Sequence, residues 1–380
     1  MFLKKKIYHP VKNRFARSYA RVLRRKGCEF IGITGSAGKT TCKDMLASVL
    51  SQKYKTMQSR ANIDPVFNIP DTILRTRLGT EKLILEMGIE YPREMGFYLW
   101  LVKPTIGICT TIYWTHTQFF GDIEGVCKEK SKLIAALPKN GFAVLNYDDL
   151  YVRRMADLTS AKVVWFGLSN KADVRADKIQ ITKDLRTEFR LAINQQKIQV
   201  SLPVLGSHFV PLALSSAAVG KVCGLEMAEI KNGLETFVPP PHRMLPIKHR
   251  SGALIVDDTY NANPLAAVEA IKTVSLIGKH EHKILVLGEM KELGIYEEKG
   301  HREVGTFARM AGIDMILGLG DLTRYTLDEF QKGKRSSKKT FFAEDKDALI
   351  KRLKKIIRRK DVVLIKGSRS MRMEEVVESL

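Results

Sequence analysis

Apolar and polar positions along this chain fall into short buried runs separated by helical stretches. Residues 28–33 (CEFIGI) form a near-continuous apolar run of strand length. A glycine-rich turn follows, then a helical pattern with Met45, Leu46, Val49 and Leu50 on one side. Further strands are predicted at 83–86, 106–110, 143–146 and 162–166, with helical patterns between several of them, the βαβ alternation of a mostly parallel sheet. From about 173 to 205 the apolar period shortens to alternation (KIQIT, FRLAI, KIQVSL), which predicts an antiparallel hairpin or small sheet added to the first domain. A helix over roughly 208–222 comes next. The run VPPPHRM at 238–244 is the predicted hinge, because consecutive prolines cannot continue a helix and stiffen a linker. Beyond it, apolar runs at 253–258, 283–288, 315–320 and 361–367 restart the strand–helix alternation as one Rossmann-like unit. The predicted class is therefore α/β, with a basic N-terminal arm over 1–27, a central domain over 28–240 and a C-terminal domain over 241–380.

A length of 380 residues accommodates two such domains, each with its own core. No apolar run reaches the roughly 18 residues of a membrane-spanning helix, and no apolar signal segment follows the basic N-terminus. Five scattered cysteines without paired spacing argue against a disulfide framework or a zinc site and fit a reducing cytoplasm. Charge changes the picture more. Lys plus Arg number 63 against 41 Asp plus Glu, a net +22. Ten of these cations lie in residues 1–26, which contain no acid, and a second basic stretch spans 332–360. Such fields attract phosphate-rich partners, whether nucleic acid, anionic lipid or a nucleotide-linked metabolite. Phe15, Tyr19 and Val22 recur at helical spacing within the arm, predicting an amphipathic surface helix; a solvated arm is the plainer alternative. No helix-turn-helix, RRM or zinc-finger signature accompanies the charge, so nucleic acid is not the expected partner.

Candidate chemistry concentrates at predicted strand ends. Thr34, Gly35, Ser36, Ala37, Gly38, Lys39, Thr40 and Thr41 lie between a strand and a helix, the context of a phosphate loop. There, backbone N–H groups cradle phosphate oxygens, Lys39 neutralises the terminal phosphates and the Thr40 hydroxyl can hold Mg²⁺. The usual spacing asks for glycine at 33, where Ile33 stands. Glu86 ends the next strand, in the crevice where ligands of α/β sheets bind, and is read as a Mg²⁺ ligand; taken alone it is equally a solvated strand end. His116 and Lys130 are each ordinary in isolation. DDTYNANP (257–264) is a polar loop able to bond a ribose or purine, although turn chemistry alone would use the same residues. In KGSRSMRME (366–374), Lys366, Ser368 and Arg369 offer an anion clamp for substrate.

Taken in order, TGSAGKTT, LEMG, the His116 to Lys130 spacing, GFAVLNYDD (141–149), GSHF (206–209), HRM (242–244), DDTYNANP, LGEMKELG (287–294) and KGSRSMRME resemble the Mur ligase family. Within it they are most similar to the branch that adds D-alanyl-D-alanine to a peptidoglycan precursor. The resemblance covers residues 28–380. It implies a P-loop-type central ATPase domain, a C-terminal Rossmann-like domain, and an ATP-dependent, ADP-forming acid–amino-acid ligase of cell wall synthesis working through an acyl phosphate. It also implies ATP and two Mg²⁺ sites: Lys39 on the phosphates, Thr40 with Glu86 on one Mg²⁺, and His116 with a carbamylated Lys130 on the second. Arg243, Asp258, Asn261 and Asn263 would meet the nucleotide across an interdomain cleft.

Departures from the family pattern carry expectations of their own. Phe209 and Leu212 stand where asparagines near the adenine are expected, so adenine contacts differ; Asn68 replaces a usual glycine in ANIDPVFNIP. Only about 27 residues precede the first strand, too few for the family's N-terminal domain that grips UDP. The acceptor is therefore expected to be a different small-molecule carboxylate, a lipid-linked carboxylate at the membrane surface, or one presented by a partner protein. An amino acid or dipeptide is the expected donor. The expected location is the cytoplasm, peripheral to the inner face of an anionic membrane. Alternatives are a related ligase acting on poly-glutamate or a cofactor side chain, and a basic nucleotide-binding adaptor without ligase activity. Glu86, His116 and Lys130 count against the adaptor, which needs no metal sites.

Overall fold

In the computed structural model, which describes residues 9–60, 63–115, 117–277, 281–332 and 339–380, the chain divides into two units. The first runs to Pro239 and the second from Pro240, with Lys183–Leu185 and Val204–Ser207 grouped with the second.

The first unit is built on a nine-stranded sheet. Its strands in chain order are β1 (Glu29–Thr34), β2 (Thr56–Gln58), β3 (Lys82–Glu86), β4 (Ile106–Cys109), β5 (Phe142–Asn146), β6 (Lys162–Gly167), β7 (Val174–Ile181), β8 (Thr187–Ile193) and β9 (Gln196–Leu202). They lie in the order β2-β3-β1-β4-β5-β6-β7-β8-β9. Strands β1 to β7 pair in parallel, with β1 between β3 and β4, and β8 and β9 continue antiparallel. The continuous apolar runs of β1, β3 and β4 follow from burial on both faces of a parallel sheet. The alternating segment after 173 does form antiparallel strands, but as an extension of the main sheet rather than a separate hairpin, because β7 first joins β6 in parallel.

Helices between the strands cover the sheet: α2 (Lys39–Leu50), α3 (Pro65–Arg75), α4 (Glu94–Leu101), α5 (Ile123–Ala135), α6 (Val210–Val222) and α7 (Met227–Thr236). They are preceded by α1 (Pro10–Arg25), whose first-turn proline and last-turn Arg24 and Arg25 suit a helix start and end. It is a surface helix, packed mainly through small residues rather than through Phe15 and Val22. Asn13, Ala16, Ala20 and Leu23 are buried, the latter three joining the core cluster that holds Val66, Ile69 and Ile73 of α3. Phe15 and Val22 point to solvent. Small alanines let α1 approach closely, where Phe15 would hold it off. Tyr19 donates its hydroxyl proton to the Thr76 carbonyl at 2.8 Å, and Lys12 pairs with Asp71.

The second unit carries a six-stranded sheet of β10 (Leu245–Lys248), β11 (Leu254–Asp258), β12 (Lys283–Gly288), β13 (Met315–Leu319), β14 (Lys339–Ala343) and β15 (Val362–Lys366). The order is β10-β11-β15-β12-β13-β14, parallel except for β10. Its main helices are α8 (Pro264–Leu276), α9 (Glu297–Met310), α10 (Thr323–Gln331) and α11 (Lys346–Ile356). No described helix is long and apolar enough to cross a membrane.

His301 of α9 is fully buried. Its Nδ1 bonds the Glu297 carbonyl at 2.7 Å, and its Nε2 accepts the Met290 N–H at 3.1 Å. Both bonds are satisfied only by the neutral ring, and burial holds its pKa below the usual histidine value, against the Glu297 bond and the field of Glu289. The unfolded chain then binds the proton first, so stability is complete above about pH 6.5 and falls as pH drops toward the folded pKa. Urea midpoints measured between about pH 5 and 8 are expected to fall on the acid side for the parent chain and less steeply for His301→Leu; equal slopes would reject this origin.

All five cysteines are free, four of them buried and Cys223 half-buried. Burial pushes the thiols of Cys28, Cys127 and Cys223 up to about 11, Cys42 to about 12 and Cys109 higher still.

Candidate functional site

The carboxyl ends of β1, β3 and β4 lie side by side, with Ile33 beside Glu86 and Thr34 beside Cys109. Strand β1 continues through Ile33 into Thr34, which explains the missing glycine: position 33 is core, and the turn is confined to residues 35–38. That turn is closely walled. Gly35 (φ +142°) and Gly38 (φ +79°) hold conformations that favour glycine, and an added Cβ would meet Thr110 Oγ1 at 1.9 Å or Leu212 Cδ2 at 2.6 Å respectively. Gly38 starts α2 with no side chain capping it. The first N–H groups of α2 are therefore open to an anion.

Hydrogen bonds fix the turn. Ser36 N–H donates to Thr111 O at 2.7 Å, Ser36 Oγ exchanges bonds with the Tyr113 backbone, and Thr110 Oγ1 donates to Ala37 O at 2.7 Å. Thr34 Oγ1 donates to Met87 O at 3.0 Å, and Thr41 is buried in the first turn of α2. Lys39 and Lys130 both reach the same acceptor, the Gly35 carbonyl, at 2.9 and 3.0 Å. Lys130, on α5, is fully buried. Burial first, and the nearby Lys39 ammonium second, hold its pKa well below the usual lysine value. Its amine lies at the phosphate loop, with burial favouring the uncharged form.

Thr40 Oγ1 donates to Glu86 Oε1 at 3.1 Å. Two residues that the sequence did not single out support that carboxylate. Ser59 Oγ accepts the Glu86 N–H at 3.0 Å, and the buried Lys43 ammonium donates to Ser59 O at 2.9 Å while lying 3.8 Å from Glu86 Oε2. A hydroxyl and a carboxylate at the loop mouth are hard oxygen donors, a set that fits a Mg²⁺ ion otherwise held by phosphate oxygens and water. Among the described residues no group of three or more His, Cys, Asp and Glu could hold a metal without such help. His116 lies outside the described residues.

The departures noted in the sequence have structural roles. Leu212 packs on Gly38, and Phe209 is buried beside it in the chain, so an apolar surface backs the loop. Asn68 sits not in a loop but inside α3. Its amide donates to Arg60 O at 2.7 Å and accepts from Thr72 Oγ1 at 3.1 Å, tying the residues after β2 to the helix.

In the second unit, Asp258 Oδ2 and Lys366 Nζ form a buried ion pair at 2.5 Å, and Lys366 also donates to Asn261 O at 2.9 Å. Burial raises the Asp258 carboxyl, and Lys366 pulls it back. Asn261 Oδ1 accepts from Ala262 and Arg369 N–H, and Asn263 caps α8 by accepting from Ala266 N–H at 2.8 Å. Ser368 Oγ accepts the Lys291 N–H. Lys366 and Ser368 are thus buried and engaged, while Arg369 is largely exposed and pairs with Glu374 at 2.6 Å. The guanidinium of Arg243 lies 4.2 Å from the Tyr260 ring centroid, between the left-handed residues His242 and Met244. Its Nε is buried without a hydrogen-bond partner among the described residues, as a cation awaiting an anion would be.

The Mur ligase middle domain matches residues 33–220, and the Mur ligase glutamate ligase domain matches residues 242–369. The UDP-N-acetylmuramoyl-tripeptide–D-alanyl-D-alanine ligase of Escherichia coli (strain K12) is 33% identical over 354 residues, covering 92% of this chain and 76% of that protein. Among solved structures, MurF from Acinetobacter baumannii superposes with a TM-score of 0.85 at 26% identity, covering 97% of this chain and 80% of that one. MurF ligase from Thermotoga maritima in complex with ADP gives 0.83 at 25% identity, covering 96% and 83%.

Proposed function

Because this chain belongs to the Mur ligase family, we propose that it is an ATP-dependent, ADP-forming ligase that joins D-alanyl-D-alanine to the peptide of UDP-N-acetylmuramoyl-tripeptide. The observation that carries this reading is the phosphate loop with Thr40 and Glu86 at its mouth and the buried Lys130 behind it. A carboxylate is a poor electrophile until one oxygen becomes a leaving group. Transfer of the terminal phosphoryl group of ATP provides that, and the amine of the dipeptide then displaces phosphate. The chain's task is positioning and charge neutralisation. Lys39 turns from the Gly35 carbonyl to the terminal phosphates, and the N–H groups of the loop and of the first turn of α2 hold the phosphate oxygens.

Thr40 and Glu86 would hold one Mg²⁺, which neutralises phosphate charge when bound. Lys130 is suited to carbamylation because burial favours the uncharged amine, the form that adds CO₂: an N–C bond forms, the nitrogen gives up a proton to water, and the product is an anion that keeps one N–H for the Gly35 carbonyl. This anion and His116 would hold a second Mg²⁺. Arg243, Asp258, Asn261 and Asn263 are assigned to the nucleotide, and Lys366, Ser368 and Arg369 to substrate, with Asp258 and Lys366 acting through each other.

A nucleotide-linked peptide is the acceptor that the relatives' names carry, and nothing in the comparisons supports a lipid-linked one. A place at the inner face of an anionic membrane is the second part of the proposal, supported by the exposed apolar and basic face of α1. The test is ADP release with Mg²⁺-ATP, D-alanyl-D-alanine and UDP-N-acetylmuramoyl-tripeptide, with products read by mass spectrometry. ADP release that requires both substrates and yields the joined product is expected. ATP binding with no release on adding both would reject this acceptor and donor.

A further inference from the structure

We propose that α1 is a docking surface for an anionic phospholipid bilayer, entering the interface along the stripe Val11, Phe15, Ser18 and Val22. These residues recur at four-, three- and four-residue intervals and so share one helix face, opposite the face buried against α3. Val11 is 64% exposed, Phe15 66% and Val22 40%, an unusual display for a helix whose other side is fully packed.

The charges around the stripe identify its occupant. Arg14, Arg21 and Arg25 border it, Lys26 follows it, and all four are exposed without an ion pair among the described residues. The helix carries no acid. Lys12 and Arg17 are otherwise engaged, with Asp71 and with the Trp100 ring, whose centroid lies 4.7 Å from the Arg17 guanidinium carbon. Trp100 is itself 38% exposed beside the helix, a residue suited to the headgroup level. Apolar side chains flanked by arginines match the acyl boundary below and lipid phosphates at its rim. The stripe is narrow for a stable protein interface, which needs roughly 1,000 Å² or more. A second copy would bring like-charged arginines together, and nucleic acid would leave Val11 and Phe15 unused.

This inference stands apart from the ligase reading, because α1 supplies none of the residues assigned to the reaction. The test is co-sedimentation of the full chain with phosphatidylcholine vesicles, with and without about one-third phosphatidylglycerol. Binding to the anionic vesicles alone, weakened by salt, is expected. The triple variant Arg14→Glu, Arg21→Glu, Arg25→Glu should lower partition on the order of a hundredfold, and Phe15→Ser about tenfold or more. Both variants should release ADP at the parent rate without vesicles, which shows that they fold. Failure of the parent chain to bind anionic vesicles at low salt would overturn the proposal. So would binding indifferent to both variants, or a dimer in analytical ultracentrifugation that Phe15→Ser dissolves.

Discussion

Lys130→Ala is expected to reduce ADP release by about a hundred- to a thousandfold, the scale of losing one preorganised charge at a phosphoryl-transfer site. The side chain is fully buried, that burial lowers its pKa well below the usual lysine value, and its acceptor is the carbonyl of Gly35 in the phosphate loop. As a carbamate it would add an anion beside the loop. Acetate or formate added to the variant should therefore restore part of the turnover by filling the space with a carboxylate. Truncation also leaves a cavity costing about 2–5 kcal/mol, so thermal melting must accompany the kinetics. Rescue without any change in melting temperature would separate the chemical role from packing. A variant that turns over at the parent rate would sink the carbamate assignment.

Asp258→Ala is expected to destabilise the second unit by about 3–5 kcal/mol, because it strands the Lys366 ammonium in the interior. Lys366 is 2% exposed, and its other acceptors are backbone carbonyls. Urea unfolding gives the measurement. Adding Lys366→Met to the variant should recover much of the loss, since an apolar replacement leaves no uncompensated charge. A loss below about 1 kcal/mol in the single variant would mean that water reaches the lysine.

The two α/β units and the phosphate loop were legible because strand runs, glycines, lysine and threonines carry their meaning locally. Three of the four edge strands were not, β9 being the exception. β2, β10 and β14 each lie at a sheet margin and are only partly buried, so their apolar pattern is faint. The packed face of α1 was not legible, because hydropathy marks Phe15 and Val22, whereas close helix approach selects Ala16 and Ala20. Lys43 follows Lys39 by one turn of α2, yet nothing local distinguishes a buried lysine from a solvated one; Ser59 and Glu86, which fix it, come from elsewhere in the chain. Lys130 was named through family likeness alone. Its burial and its contact with Gly35, 95 residues away, exist only once β1 and α5 are packed.

The buried thiols make the molecule its own reporter of opening. Only a thiolate attacks a disulfide reagent or alkylator, and with these groups raised to about 11 or beyond, almost none is ionised near neutral pH. A colourless reagent such as an aryl disulfide would then develop colour at the rate at which each segment breathes. Three positions fall within the first unit's sheet and helices (Cys42, Cys109 and Cys127), Cys28 immediately precedes β1, and Cys223 follows α6. The second unit has no cysteine, so labelling time courses would clock the fluctuations of the nucleotide-loop half alone, without any engineered probe.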